Sequence, residues 1–242
     1  MHGADYILFN KSGIEFGEDF LNRIFKLADL PKDRLLLIFH NGPLFSSNLG
    51  ITVPRKVYFE INDSGFFLKY KDKEWDCGIA FSSKACQLFN QFPAYFVYLI
   101  GHEFGHAHIC LQDEALHVHL CLIQDFIKEA SNERISSWHE LPHEILFDKY
   151  GIFIAGNFYS RDQLNLDIEE MLKEQDCKDR LRLEQMLEQK STNDLSGLRE
   201  SLVKFSLPYK NELIELWKED HNKKGSKSLA SFINDYDQLF EY

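Results

Sequence analysis

The segment GHEFGHAHIC, residues 101–110, contains two histidines four positions apart, His102 and His106, with Glu103 directly after the first. Residues i and i+4 lie on one face of an α-helix, so both imidazoles can bind the same metal ion. Glu103 lies about 100° further round the helix, where its carboxylate can reach a water on that ion without being a ligand. Two imidazoles and an adjacent acid are the parts of a zinc site that hydrolyses amide bonds.

The glutamate and two glycines make a chance match less plausible than the histidines alone would. The chain has ten histidines, so an accidental HxxxH is expected, whereas HExxH is much rarer. Gly101 and Gly105 accompany the motif, and glycine costs about 1 kcal/mol inside a helix, which predicts close packing on that side. Zinc suits imidazole ligands and lowers the pKa of a bound water toward about 7, so we predict one Zn²⁺ per chain.

A catalytic zinc site usually has three protein ligands, so one more must come from another part of the chain. The segment HEILFDKYG, residues 143–151, contains Glu144 and Asp148 four positions apart, on one face of a predicted helix. Glu144 can coordinate the ion, and Asp148 can accept the N–H of a ligand imidazole and fix its tautomer. Only Glu144 brings an acid at i+4 on the face of the predicted helix. The residues that compete with it for the third position are Glu133, His139, Glu140 and His143.

The elements that must position these residues follow from hydrophobic periodicity. Residues 18–30 form an amphipathic pattern that ends at Pro31, which predicts a helix. Short β-branched and aromatic segments between turn residues then predict strands at 34–40, 51–62, 65–70 and 77–83, with a hairpin turn in INDSGFF. From Pro93 the pattern becomes helical, with predicted helices at 93–112, 113–131 (N-capped by Asp113), 142–156, 161–190, 195–206, 209–222 and 228–240.

This order of elements predicts an α+β fold. A small twisted sheet, mixed or antiparallel, is followed by the HExxH helix and a glutamate helix, and then by an all-helical C-terminal region. We assign residues 1–156 to the first domain. Residues 157–242 are rich in Glu, Lys, Gln and Leu and form either a separate helical subdomain or the second wall of one domain. The charged side chains of this region are most simply explained as solvated helix faces.

HEFGH followed by E-x-x-x-D resembles the zincin metallopeptidases of the gluzincin type, over about residues 18–156. The resemblance implies that His102, His106 and Glu144 are the zinc ligands. It also implies that Glu103 is the catalytic base and that Asp148 holds a ligand imidazole. In that superfamily the HExxH helix packs under a small twisted sheet whose edge strand pairs with the extended substrate, and 77–83 is the natural candidate for this edge.

The expected function is that of a zinc-dependent endopeptidase, with Glu103 as general base on a zinc-bound water. The alternative is a non-catalytic regulatory or protein-binding module on a zincin scaffold. A peptidase also needs a donor for the oxyanion that forms on the scissile carbonyl. Spacing does not separate the four candidates for this donor, which are His139, His143, Tyr150 and Tyr159.

Charge and composition limit the partners. A formal charge of −11 argues against nucleic acid and anionic membranes, which leaves small molecules and proteins as partners. The expected peptidase function then implies a protein or peptide substrate. Five cysteines without a close CxxC pair argue against a disulfide framework. The sequence shows neither a secretion signal pattern nor an apolar run of about 20 residues, so we expect a cytoplasmic protein.

The remaining histidines and cysteines have simpler explanations. His108 lies about 200° round the helix from His106 and is expected to face away from the metal. His117 and His119 are two apart, so they do not share a face, and we expect them at the surface or at the edge of the core. Cys110 and Cys121 are expected to be small buried hydrophobic residues, and Phe96, Ile100 and Phe104 a core stripe.

Overall fold

The computed structural model describes residues 18–39, 49–54, 74–113, 141–173 and 180–215, and the single residues 116, 117, 119, 120, 123, 126 and 218. Within these residues the chain forms seven α-helices with described bounds, further helical residues from 116 and from 210 onward, and a three-stranded sheet, which confirms a mixed α+β class with mostly helical content. The elements are α1 Glu18–Ala28, β1 Leu35–Phe39, β2 Gly50–Pro54, β3 Cys77–Phe81, α2 Ser83–Gln91, α3 Pro93–Gln112, α4 Pro142–Gly156, α5 Arg161–Leu172, α6 Arg180–Glu188 and α7 Leu198–Ser206.

The sheet is mixed, with strand order β1-β3-β2. β3 runs parallel to β1, with Leu37 opposite Ile79, and antiparallel to β2, with Thr52 opposite Ile79. The prediction that 77–83 forms the edge strand is therefore wrong, because β3 lies between the other two described strands. Every residue of β3 is buried, as is typical of a central strand, and nearness in sequence to the HExxH helix does not determine strand order.

Several predicted elements fall partly or wholly outside the described residues. These include residues 55–62 and 65–70, the INDSGFF turn and the helix at 228–240. Within the predicted helix 113–131, the described residues from 116 onward are helical, and the Leu116 N–H donates to Asp113 Oδ1 at 2.9 Å. Asp113 is thus the N-cap that the sequence predicts.

The predicted and the observed helix bounds agree best for the helices whose first turn contains a proline. α3 and α4 have the predicted bounds, 93–112 and 142–156. The sequence did not predict α2, although Ser82 caps it by accepting the Ala85 N–H at 3.2 Å. The predicted segment 161–190 contains two separate helices, α5 and α6.

Glycines bring α3 and α4 into close contact. A Cβ placed on Gly101 would lie 2.7 Å from Ile154 Cβ, and one on Gly105 would lie 2.6 Å from the Phe147 ring. Any larger residue at these positions would force the two helices apart. The close packing that Gly101 and Gly105 predict is therefore present, and it places the HExxH helix against the helix that carries Glu144.

Both parts of the chain contribute to one core. Leu164 and Ile168 of α5 and Leu183 and Met186 of α6 belong to the same buried cluster as the sheet and α3. Asp167 of α5 also accepts the backbone N–H groups of Ala94 and Tyr95, at 2.8 and 3.1 Å, and so caps α3. The division at residue 156 stays a prediction. Among the described helices, none has the length and apolar character needed to cross a membrane.

Candidate metal centre

Three side chains from α3 and α4 converge on one buried point. His102 Nε2 lies 3.3 Å from His106 Nε2 and 3.4 Å from Glu144 Oε2. His106 Nε2 lies 3.6 Å from Glu144 Oε1. The helix period places the two histidines one turn apart, and the close approach of α4 supplies the carboxylate.

These separations suit a metal ion. Four-coordinate zinc bonds to nitrogen and oxygen at about 2.0–2.1 Å, which places neighbouring ligand atoms about 3.3–3.4 Å apart in a tetrahedron. The three nearest separations, 3.3 to 3.6 Å, are close to that value, with His102 nearest to Oε2 and His106 nearest to Oε1 of Glu144. Two imidazoles and a carboxylate also form a donor set that divalent transition metals accept. His102, His106 and Glu144 could therefore hold a metal ion.

Asp148 faces one ring nitrogen of His102. Its Oδ1 lies 2.8 Å from His102 Nδ1. Burial alone would raise the pKa of Asp148, but the charge of Arg182 and the hydrogen bond with His102 outweigh it and hold this pKa well below its ordinary value. The ionised carboxylate can only accept, so it favours the tautomer in which Nδ1 carries the hydrogen and Nε2 keeps its lone pair. Arg182 Nη2, which can only donate, lies 2.9 Å from the same Nδ1 and favours the other tautomer.

Arg182 of α6 is a member of the site that the sequence did not predict. Its Nε donates to Asp148 Oδ2 at 3.1 Å, and its Nη2 donates to Asp148 Oδ1. The side chain is only 16% exposed, so the expected solvated face is wrong for this residue. No local signal distinguishes Arg182 from the other charged residues of the C-terminal region, since its partner comes 34 residues earlier.

Glu103 lies beneath β2 and is 8% exposed. Thr52 Oγ1 donates to Glu103 Oε2 at 2.6 Å. A Cβ on Gly50 would lie 2.6 Å from Glu103 Oε1, so glycine leaves room for this carboxylate. Burial raises the pKa of Glu103, opposed by His102, by the Thr52 hydrogen bond and by Arg182. The sequence did not single out Thr52 or Gly50, because they lie about 50 residues before the motif.

Of the competing candidates for the third ligand, His143 alone falls within the described residues. Glu133, His139 and Glu140 are outside the described residues. His143 is fully buried beside the centre, with Nε2 3.5 Å from Glu144 Oε1, but it does not belong to the converging group. Burial lowers the pKa of His143 to about 3, so the imidazole is neutral.

Other candidate residues have structural contacts. His108 Nε2 lies 2.5 Å from the Ala28 carbonyl oxygen and 3.1 Å from the Tyr150 hydroxyl, so neither side chain extends to the metal centre. Tyr159 follows the end of α4 and is part-buried against the core. His117 and His119 are buried, so the expected position at the surface or core edge is wrong for them.

Cys110 is less buried than the sequence analysis predicts. Cys77, Cys86 and Cys110 are free thiols, and Cys110 packs partly buried against the core. Phe96, Ile100 and Phe104 are core residues, as their spacing predicts. Cys121 lies outside the described residues.

Comparisons of the chain with family models, with curated proteins and with solved structures find no match. The function therefore has to be inferred from the residues themselves, and the zincin resemblance stays a prediction.

Proposed function

We propose that the protein is a zinc-dependent peptidase that hydrolyses peptide bonds of a protein or peptide substrate. The observation that carries the proposal is the convergence of His102, His106 and Glu144, whose nearest side-chain atoms lie 3.3 to 3.6 Å apart. The two helices that carry them pack closely at glycines. Glu103 follows the first histidine directly, and the HExxH motif places it where a general base is needed. A purely structural zinc site has no use for this acid.

Each residue has a separate task in the proposed reaction. A zinc ion held by His102, His106 and Glu144 would supply Lewis acidity for the scissile carbonyl and for a water molecule. Glu103 accepts a proton from the attacking water and passes it to the leaving amine. Its raised pKa suits both steps, because a base with a pKa nearer neutrality also returns the proton readily. Asp148 keeps His102 in the ligating tautomer.

The cover over Glu103 favours a second candidate, a metal-binding module without catalysis. Thr52 and Gly50 of β2 lie against the Glu103 carboxylate, which is almost fully buried. A general base must reach its water, so catalysis requires β2 to leave an approach on the metal side. A regulatory or protein-binding role has no such requirement.

The first experiment measures zinc per chain by elemental mass spectrometry after reconstitution. We expect about one zinc in wild type and little in His102→Ala, His106→Ala or Glu144→Ala, since a site with two remaining ligands binds zinc weakly. His108→Ala is the matched control, because it removes an imidazole from the same helix without touching the centre. A wild type without zinc would overturn the proposal, and retained zinc in Glu144→Ala would remove Glu144 from the ligand set.

The second experiment separates the two candidate functions. Zinc-loaded wild type and Glu103→Gln are incubated with a library of proteome-derived peptides, and the products are identified by mass spectrometry. The peptidase proposal expects cleavage by wild type and a loss of about a hundredfold or more in Glu103→Gln, with zinc content unchanged. Equal cleavage by both proteins contradicts the role of Glu103. A zinc-loaded wild type that cleaves nothing supports the non-catalytic module.

A further inference from the structure

A helix of the C-terminal region reaches the metal centre through one side chain. Arg182 of α6 lies 2.9 Å (Nη2) from His102 Nδ1, 3.4 Å from His102 Nε2 and 3.9 Å from Glu144 Oε2. Its guanidinium is charged, so it does not act as a metal ligand. Its double hydrogen bond to Asp148 holds it there, and its Nη2, which can only donate, competes with Asp148 Oδ1 for the hydrogen-bonding position at His102 Nδ1.

The hydrogen bonds of Asp148 show what Arg182 does there. Oδ2 accepts from Arg182 Nε at 3.1 Å. Oδ1 accepts from Arg182 Nη2, from the Tyr98 hydroxyl at 2.5 Å and from His102 Nδ1 at 2.8 Å. A planar guanidinium that binds both oxygens sets the plane of the carboxylate as well as its position. That plane directs Oδ1 at the His102 ring nitrogen.

We propose that Arg182 is a positioning residue of the metal centre. It orients Asp148, Asp148 holds the hydrogen on His102 Nδ1, and His102 Nε2 is thereby kept as a metal-binding lone pair. The proposal rests on the metal centre of the proposed function. It assigns to α6, which lies beyond the segment that resembles zincins, a direct part in metal affinity.

If the ion pair between Arg182 and Asp148 served only the stability of the fold, substitution of Arg182 would have a different effect. Removing Arg182 would then lower the stability of the fold without changing zinc affinity in the molecules that stay folded. An arginine that acts through Asp148 changes zinc affinity itself, because the outer hydrogen bonds of a ligating histidine commonly account for a factor of about 10 to 100 in metal binding. Zinc affinity and the tautomer of His102 distinguish these cases.

The test measures the zinc dissociation constant of the full chain by competition with a chromophoric chelator. We expect Arg182→Met to weaken zinc binding by about 10- to 100-fold. Arg182→Lys should lose less, since it keeps the charge but not the two-point contact. Arg180→Met is the matched control on the same helix, because the Arg180 side chain is 49% exposed and contacts Glu184 at 3.7 Å and the Leu172 carbonyl at 2.7 Å, away from the proposed metal ligands. Equal affinities in wild type and Arg182→Met would overturn the proposal.

A double-mutant cycle tests whether Arg182 acts through Asp148. Asp148→Asn alone should weaken zinc binding, and adding Arg182→Met should then weaken it little further, since the carboxylate that Arg182 orients is already gone. If the double variant lost zinc affinity by the product of the two single-variant factors, Arg182 would act independently of Asp148. That result would overturn the proposed route.

The tautomer of His102 gives a measurement that needs no zinc. ¹⁵N NMR of the metal-free protein near neutral pH should show His102 with its hydrogen on Nδ1 in wild type and in Arg182→Lys. If Arg182→Met does not fold, the milder lysine variant still carries the affinity test. A wild type without the Nδ1–H tautomer contradicts the inference about Arg182. A wild type with that tautomer but no zinc overturns the proposed metal centre.

Discussion

Gly101 and Gly151 face each other across the contact between α3 and α4, and a Cβ placed on Gly101 would lie 2.9 Å from Gly151 Cα. A Cβ placed on Gly151 would in turn lie 2.7 Å from the backbone oxygen of Tyr98. The two helices that carry the candidate metal centre thus touch through bare backbone. Their separation sets the distance between the HExxH histidines and Glu144.

Gly151→Ala should separate these helices. A backbone oxygen does not move aside as a side chain can, so we expect the free energy of unfolding to fall by about 1–3 kcal/mol. Urea unfolding of the metal-free protein measures it. Gly156→Ala is the control on the same helix, because a Cβ there meets nothing within 4 Å and should leave stability unchanged or slightly increased. An equal effect of both substitutions would contradict the close contact.

Under the proposed peptidase function, Thr52→Val should slow cleavage and leave zinc binding unchanged. The substitution keeps the shape of the side chain but removes the hydroxyl that donates to Glu103 Oε2. A misplaced base slows the reaction, so we expect the cleavage rate to fall by about ten- to a hundredfold at unchanged zinc content. Thr52→Ser keeps the hydroxyl and should retain most activity. Full activity in Thr52→Val would show that the hydrogen bond does not position Glu103.

Asp167→Ala should destabilise the helix that carries HExxH. Asp167 is 4% exposed and accepts two backbone N–H groups of the first turn of α3. Without it those buried donors lose their partner, and we expect the free energy of unfolding to fall by about 2–3 kcal/mol. Asp167→Asn keeps an acceptor oxygen and should cost less. Chemical unfolding of both variants compares them, and equal losses would argue against capping.

Stability should fall as the pH drops below about 6.5, partly because of His119. Burial, together with the charge of Arg199, lowers the pKa of this histidine to about 4, so it stays neutral in the folded chain while it is protonated in the unfolded chain. The unfolded state then binds the extra proton between about pH 6.5 and pH 4, which removes about 3 kcal/mol at most from the free energy of unfolding.

His119→Gln tests whether His119 contributes to this pH dependence of stability. His119 Nε2 lies 2.8 Å from Ser206 Oγ, whose own hydrogen donates to the Leu202 carbonyl, so the imidazole donates to Ser206. Glutamine can donate in the same way but does not titrate. Unfolding measured between pH 7 and pH 4.5 in the presence of a chelator should show a shallower pH dependence in the variant. Parallel curves for variant and wild type would exclude His119 as a source.

Which residues share a helix face was determined by the sequence itself. His102 with His106 and Glu144 with Asp148 follow from the 3.6-residue period, and the bounds of α3 and α4 follow from proline at their first turns. Gly101 and Gly105 also indicated a close neighbour for α3. These are local properties, because backbone geometry and steric size act over a few residues.

Only the tertiary structure decided which residues and strands that are distant in sequence contact each other. It placed β3 between β1 and β2, brought Thr52 to Glu103 and brought Arg182 to Asp148. These pairs are separated by 34 to 51 residues, and neither hydrophobic period nor turn chemistry carries information over that distance. Such contacts depend on how whole elements pack, since the buried area of many side chains, and not the pair itself, fixes where each helix and strand lies.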